Sequence, residues 1–234
     1  MRPKEISLNI RPISPEVEQS LDEAADEHLV AANYSTPLRP DAFEMSDEEK
    51  IERIEHHFRE IMHVLGLDLT DDSLSGTPRR VAKMYVKEAF SGLNPKNRPH
   101  ARLFENKYKY DQMLVEKDIT FYSHCEHHFV PIFGKAHVAY FSTGKVIGLS
   151  KINRIVQYFA KRPQVQERLT VQIAREIMRV LQTPDVGVVI DATHLCVASR
   201  GVGDTNSRTG TAYFSGKFND ENIRKEFLNY INSK

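Results

Sequence analysis

Two short segments constrain the fold of this chain more than any other feature. The sequences SHCEHH at 123–128 and HLC at 194–196 contain both cysteines and four of the ten histidines. Thiolate and imidazole are ligands that Zn²⁺ prefers, and the Cys125-x-x-His128 spacing lets one turn present both groups to a single ion. Cys196 lies 71 residues after Cys125. A fold that uses all three ligands must therefore close a long loop.

The number of candidate ligands indicates what such a metal would do. Structural zinc sites usually have four protein ligands, whereas catalytic sites have three and keep a position for water. Cys125, His128 and Cys196 supply three, and His127 and His194 each lie close to one of them in sequence. This combination predicts a metal-activated water with histidines as acid–base partners.

Other interpretations of the same residues stay open at this point. His124, His127 or His194 would complete a closed, purely structural zinc site if it acted as a fourth ligand. The two cysteines could instead be buried thiols or form a disulfide, although a disulfide is disfavoured in a reducing compartment.

Composition bears on partners and location. Lys plus Arg and Asp plus Glu both total 32, so no overall field recruits nucleic acid or an anionic membrane. The N-terminal sequence contains no apolar core typical of a secretory signal, and no apolar run is long enough to span a bilayer. With only two cysteines, these features predict a cytoplasmic protein without a nucleic-acid or membrane partner.

The chain divides into three predicted regions. Residues 1–45 are polar and lack sustained periodicity, which predicts an N-terminal arm that is flexible in part. Residues 46–100 form a helical region, in which Ser46-x-x-Glu49 fits a capping box and Gly66 fits the position after the helix end. A second helix is predicted to begin with Thr77 as its cap. Residues 101–234 form the proposed catalytic domain, including a C-terminal helix.

Within this domain, strands precede and follow a pair of helices. One predicted strand has its alternate residues on one side, namely Met113, Val115, Lys117, Ile119 and Phe121. A second covers 135–141, a third leads from 186 to His194 and Cys196, and a fourth covers 209–214. The two helices begin at Ser150 and near 164, and a last helix follows 220. Short connections between strands favour antiparallel pairing and an α+β class.

These residues resemble the GTP cyclohydrolase I family. The matching stretches are CEHHFV from 125, VIGLSKINRIVQYFAKRPQVQERLT from 146 to 170, His194-x-Cys196 with Arg200-Gly201, and GTPRRVA from 76. The resemblance covers about residues 36–218. It implies zinc-dependent conversion of GTP to 7,8-dihydroneopterin triphosphate and formate, the first step of pterin and tetrahydrofolate synthesis. It also implies the tunnelling fold, a barrel closed by oligomerisation into a decamer of two pentamers, with active sites at subunit junctions.

The resemblance also assigns roles. Cys125, His128 and Cys196 match the family's zinc ligands, and His127 and His194 match its proton-transfer groups. Glu167 matches the guanine anchor, since one carboxylate can accept from both N1–H and the exocyclic amine. The remaining substrate-binding positions are Gln166 for the base, and Ser150, Lys151, Arg154, Arg200 and Arg80 for the ribose and triphosphate. Ser150 and Lys151 lie at a predicted helix N-terminus, which favours anions, and Arg80 would reach in from a neighbouring subunit.

Two other function classes compete with this one. A zinc-stabilised assembly module without catalysis would need neither His127, His194 nor Glu167. A different zinc hydrolase, such as a peptidase or a nucleobase deaminase, would need an HExxH helix or an H-x-E motif paired with P-C-x-x-C, and the sequence contains neither HExxH nor P-C-x-x-C.

Overall fold

A computed structural model describes residues 34–233 of the chain. The helices are α1 (Asp47–Val64), α2 (Thr77–Met84), α3 (Leu149–Ala160), α4 (Gln166–Leu181), α5 (Leu195–Ala198) and α6 (Glu221–Asn232). The strands are β1 (Leu103–Glu105), β2 (Leu114–Cys125), β3 (Pro131–Tyr140), β4 (Lys145–Ile147), β5 (Pro163–Gln164), β6 (Val186–His194) and β7 (Thr209–Phe214). Among these residues, no helix combines the length and the apolarity that crossing a membrane requires.

The N-terminal helical region begins as its sequence predicts. The Ser46 side chain accepts from the Glu49 amide while the Glu49 carboxylate accepts from the Ser46 amide, which is a complete capping box. Gly66 follows the helix with φ +81°, a conformation that glycine adopts without a steric penalty. The predicted cap at Thr77 is wrong by one residue. Gly76 is the N-cap of α2, so Thr77 is already helical.

The domain is built on a five-stranded sheet in the order β5-β2-β3-β6-β7. The three long pairings are antiparallel, as predicted, and only the two-residue β5 runs parallel to β2. Helices α3 and α4 cover one face and form the main core with it. Helix α6 packs on the opposite face around Phe218 and Phe227, both fully buried. The mixed helix-and-sheet architecture agrees with the predicted α+β class.

Strand β2 contains an irregularity that its sequence pattern does not reveal. Its register with β3 shifts by one residue between Glu116 and Ile119. Before the shift, Met113 and Val115 pack in the cluster beneath α6; after it, Ile119 and Phe121 pack in the main core. The prediction that these odd-numbered residues share one side is therefore wrong, because the extra residue of a bulge reverses the alternation.

The start of α3 also differs from its prediction. Gly148 is the N-cap, and no side chain accepts from the free amides of the first turn. Ser150 therefore lies within the helix instead of capping it. Its hydroxyl is exposed, which leaves the first turn of α3 open for other contacts.

The predicted N-terminal arm is described only in part. Residues 1–33 lie outside the described residues, whereas 34–45 pack on the domain. The Tyr34 carbonyl accepts from the Gln172 amide at 2.7 Å, and Thr36 Oγ1 accepts from Arg162 Nη1 at 3.1 Å.

Candidate metal centre and active site

Folding brings the three predicted metal ligands together. The ligating atoms of Cys125, His128 and Cys196 all lie within 4.8 Å of one another. Cys125 is buried, Cys196 is partly buried and His128 is exposed, so the group opens towards solvent on one side. The spacing suits a single ion held by two sulfurs and one imidazole nitrogen.

A tight turn after β2 positions the first two ligands. The Phe129 amide donates to the Cys125 carbonyl at 2.8 Å, and the Cys125 amide donates to the Val130 carbonyl at 2.9 Å. Phe129 has φ +54°, a left-handed conformation that lets the chain reverse within four residues. Cys125 and His128 therefore stand on the same side of one turn, as their spacing predicts.

Cys196 reaches the site from a helix, and its predicted place on a strand is wrong. Strand β6 ends at His194, whose partner is Ile132 near the start of β3. Beyond that point β3 offers no further partner, and the chain turns into the single-turn helix α5 with His194 as its N-cap. The turn points Cys196 back towards Cys125.

The electrostatics of the pair suit a cation. Burial raises the pKa of the Cys196 thiol, and the neighbouring Cys125 sulfur raises it further. Two sulfurs this close cannot both ionise easily without a positive charge between them. A divalent ion with an affinity for thiolates removes that repulsion, so the donor set fits Zn²⁺. Arg200 adds a second positive charge, with Nη1 3.1 Å from His128 Nε2.

Hydrogen bonds fix the orientation of His194. Gln166 Nε2 donates to the carbonyls of Ile190 at 3.2 Å and Thr209 at 2.8 Å, and lies 3.1 Å from Thr211 Oγ1. Its Oε1 therefore faces His194 Nε2, at 2.7 Å. Because an amide oxygen only accepts, Nε2 must carry the proton. The neutral ring then presents its lone pair at Nδ1.

The two candidate proton-transfer histidines, His194 and His127, differ in their surroundings. Burial lowers the pKa of His194, and the exposed Glu167 carboxylate opposes this effect by favouring the imidazolium. The side chain of His127 is 65% exposed, and its Nδ1 lies 3.7 Å from Cys125 Sγ. His127 is not part of the three-ligand group, so its ring is open to solvent and to a ligand.

The predicted phosphate-binding residues fall into three places. Ser150, Lys151 and Arg154 lie on the first turns of α3, with Ser150 and Arg154 exposed. Arg200 lies beside the metal ligands. Arg80 lies on α2, where its Nη2 donates to the Ser73 carbonyl before the helix and to the Thr77 hydroxyl at its start, both at 2.8 Å. Within residues 34–233 of one protomer, no hydrogen bond joins Arg80 to the metal ligands.

Comparison with known protein families gives a match over most of the chain. The family model for GTP cyclohydrolase I matches residues 54–232. The chain belongs to the GTP cyclohydrolase I family. A protein named GTP cyclohydrolase 1 from Flavobacterium johnsoniae is 60% identical over 214 residues, which cover 92% of this chain and 96% of that protein.

Other members of the GTP cyclohydrolase I family are similar over nearly the same length. Proteins named GTP cyclohydrolase 1 from Vibrio parahaemolyticus and Citrobacter koseri are 56% and 54% identical, covering 86% and 88% of this chain and 93% of each relative. A solved structure of the archaeosine synthase QueF-Like in the apo form covers 46% of this chain and 97% of its own at 18% identity. Its TM-score of 0.39 is too low to support an argument.

Two features of this GTP cyclohydrolase I site were not predicted from the sequence. Arg168 holds Glu126 through two hydrogen bonds, at 2.6 and 3.1 Å, and so ties the ligand turn to α4. Gln166, predicted to contact the base, is only 2% exposed, and its side-chain amide forms hydrogen bonds within the protomer. We call the ion pair between Arg168 and Glu126 the Glu126–Arg168 clamp. In the sequence, the position of Glu126 next to Cys125 was its one signal, because no local pattern links Glu126 to a partner 42 residues away.

Proposed function

We propose that this chain converts GTP to 7,8-dihydroneopterin triphosphate and formate, the first step of pterin and tetrahydrofolate synthesis. The observation that carries the proposal is the convergence of Cys125, His128 and Cys196, within 4.8 Å of one another, beside His127 and His194. Membership of the GTP cyclohydrolase I family supports the choice of reaction.

In this proposal Cys125, His128 and Cys196 hold one Zn²⁺. Zinc, when bound, lowers the pKa of a coordinated water to about 7 and thereby supplies a nucleophile at neutral pH. The Glu126–Arg168 clamp keeps the turn in place, because movement of Cys125 relative to His128 would change the ligand geometry.

His127 and His194 provide the proton transfers that opening guanine and forming the pterin ring require. Gln166 keeps the Nε2 proton of His194 in place, so Nδ1 is the nitrogen that accepts a proton. His127 lies largely in solvent, with its side chain 65% exposed. The two rings therefore differ in their surroundings, since His194 is held by Gln166 and His127 is open to water.

Substrate binding uses the surfaces on either side of the metal. Glu167 accepts the two parallel donors of guanine. Ser150, Lys151 and Arg154 bind the triphosphate at the uncapped start of α3, where free amides and the helix dipole favour anions. Arg200 contributes from the metal side.

Completion of the site requires other protomers. Beyond its two-residue pairing with β5, most of β2 has an open edge, and β7 forms the opposite edge of the sheet. Such edges can pair with neighbouring copies, which supports a barrel closed in a decamer of two pentamers. Arg80, exposed on α2 of its own protomer, would enter a neighbour's site. We infer a cytoplasmic enzyme with no nucleic-acid or membrane partner.

The reaction itself is the direct test. Purified, zinc-loaded protein incubated with GTP should release formate and give a product that becomes a fluorescent pterin on oxidation. ATP should give neither product. Absence of both products from zinc-loaded, correctly folded decamer would favour the assembly-module alternative.

Recognition of guanine by Glu167 gives a separate prediction. Glu167→Gln keeps the shape of the side chain but places a donor opposite a donor of the base. A mismatched polar contact costs about 1–3 kcal/mol, and more for a charge, so affinity for GTP should fall at least about tenfold. Equilibrium binding of GTP and ATP measures the effect.

The matched control is Glu221→Gln, since Glu221 is also an exposed first-turn glutamate, on α6. This variant should bind GTP like the wild type. Unchanged affinity and selectivity in Glu167→Gln would mean that Glu167 is only a solvated helix residue.

A further inference from the structure

A second cavity lies between segment 34–43, the end of α3 and one side of α4. Its volume is about 620 Å³, within the range of small-molecule sites. Four arginines line it, Arg98, Arg162, Arg175 and Arg179, together with one carboxylate, Glu176. None of its lining residues belongs to the proposed metal, catalytic or substrate-binding set, so it is separate from the site described above.

The single carboxylate in this cavity is already used. Glu176 is 3% exposed and accepts from Arg179 at 2.9 and 3.0 Å and from Arg98 through both oxygens, one of them at 3.1 Å. Within residues 34–233, no carboxylate lies within ion-pair distance of Arg162 or Arg175. The cavity therefore has an excess of positive charge.

Arg162 is the most informative of the four. It is 9% exposed, and its guanidinium carbon lies 4.5 Å from the ring centre of Tyr158 and 4.6 Å from that of Phe159. Nη1 donates to Thr36, but Nε is buried without a hydrogen-bond partner. A buried guanidinium with no carboxylate within ion-pair distance and a buried donor without an acceptor are both costly, and Glu176 offsets the first cost only from a longer distance. Both costs disappear if an anion enters.

We propose that this cavity binds a small molecule that carries a phosphate or carboxylate group on a planar ring. The planar fork of arginine binds such oxyanions with two parallel hydrogen bonds. The aromatic contacts of Arg162 hold its fork in place before binding, which reduces the entropy lost. Leu38, Phe43 and Tyr213 also line the cavity and provide the apolar surface for the ring.

Titration calorimetry on the zinc-loaded full chain tests the proposal independently of GTP turnover. Phenyl phosphate and benzoate distinguish the two anion classes, and benzyl alcohol controls for the ring alone. At least one anion should bind saturably. Arg175→Gln should weaken that binding at least about tenfold, the loss expected for one charge-assisted hydrogen bond.

Two control variants locate the binding. Arg102→Gln removes another exposed arginine that lies over an aromatic ring, Phe104, at 5.3 Å against 5.2 Å for Arg175 over Tyr34, and should bind the anion like the wild type. Arg200→Gln should also bind it normally, because it alters only the metal site. Absence of saturable binding, equal affinity in Arg175→Gln, or loss of binding in Arg200→Gln would each overturn the proposal.

Discussion

Cys196→Ala is expected to lose the zinc and nearly all GTP turnover. Cys196 is one of three donors within 4.8 Å of one another, so its loss leaves two ligands for the ion. The affinity for zinc should fall by more than the roughly 10–100-fold typical of a lost outer-shell partner. Because zinc binding and folding are linked, the melting temperature of the isolated variant should also be below that of the zinc-loaded wild type.

Metal analysis, turnover and thermal unfolding on one preparation measure these effects. Val197→Ala is the matched control, since Val197 lies on the same short helix but is 37% exposed and supplies no donor; it should keep its zinc. Treatment with a chelator should lower the melting temperature of the wild type and leave that of Cys196→Ala unchanged. A full zinc complement with normal turnover in Cys196→Ala would contradict the ligand assignment.

The sequence predicted well those features that depend on residues close together in the chain. The capping box at Ser46 and Glu49 needs only a three-residue spacing. Gly66 is favoured because the position after the helix end adopts a left-handed conformation. The pairing of Cys125 with His128 also depends on a single turn. In each case the backbone geometry follows from a few neighbouring residues, so a local pattern contains the information.

Features that depend on distant partners were missed or misplaced. The bulge after Glu116 arises because β2 pairs with β3 while it packs first on the cluster beneath α6 and then on the main core. The alternation of residues within β2 does not contain this information. Cys196 leaves the strand because the paired part of β3 begins at Ile132, opposite His194, and offers no partner further on, a fact about another part of the chain. The Glu126–Arg168 clamp likewise joins residues that have no common pattern.

Gln166 makes contacts that its predicted role does not include. The family resemblance assigns this amide to the base, which stays a prediction, and its four hydrogen bonds connect His194 with β6 and β7. The hydrogen-bond partners of such a buried amide depend on where the surrounding carbonyls lie, and the sequence does not give their positions. Its position makes Gln166 a positioning residue for His194 in the proposed mechanism.

Replacement of either candidate proton-transfer histidine is expected to lower turnover strongly while zinc and GTP binding are kept. His194→Ala and His127→Ala should each retain zinc and bind GTP, because neither ring belongs to the three-ligand group. A general acid–base group typically contributes about 10²–10⁴-fold to the rate, so turnover should fall within that range. His100→Ala, which removes an exposed histidine elsewhere, should turn over normally.

Product analysis on the same variants can assign the steps. Ring opening and pterin closure need different proton transfers, so one variant should accumulate a formamide intermediate in which the imidazole ring is already open. Gln166→Leu should lower turnover in the same direction as His194→Ala but less, because the ring remains and only its preferred protonation and orientation are lost. If either histidine variant loses its metal, that histidine is a ligand, and a closed structural site would explain the centre better than a catalytic one.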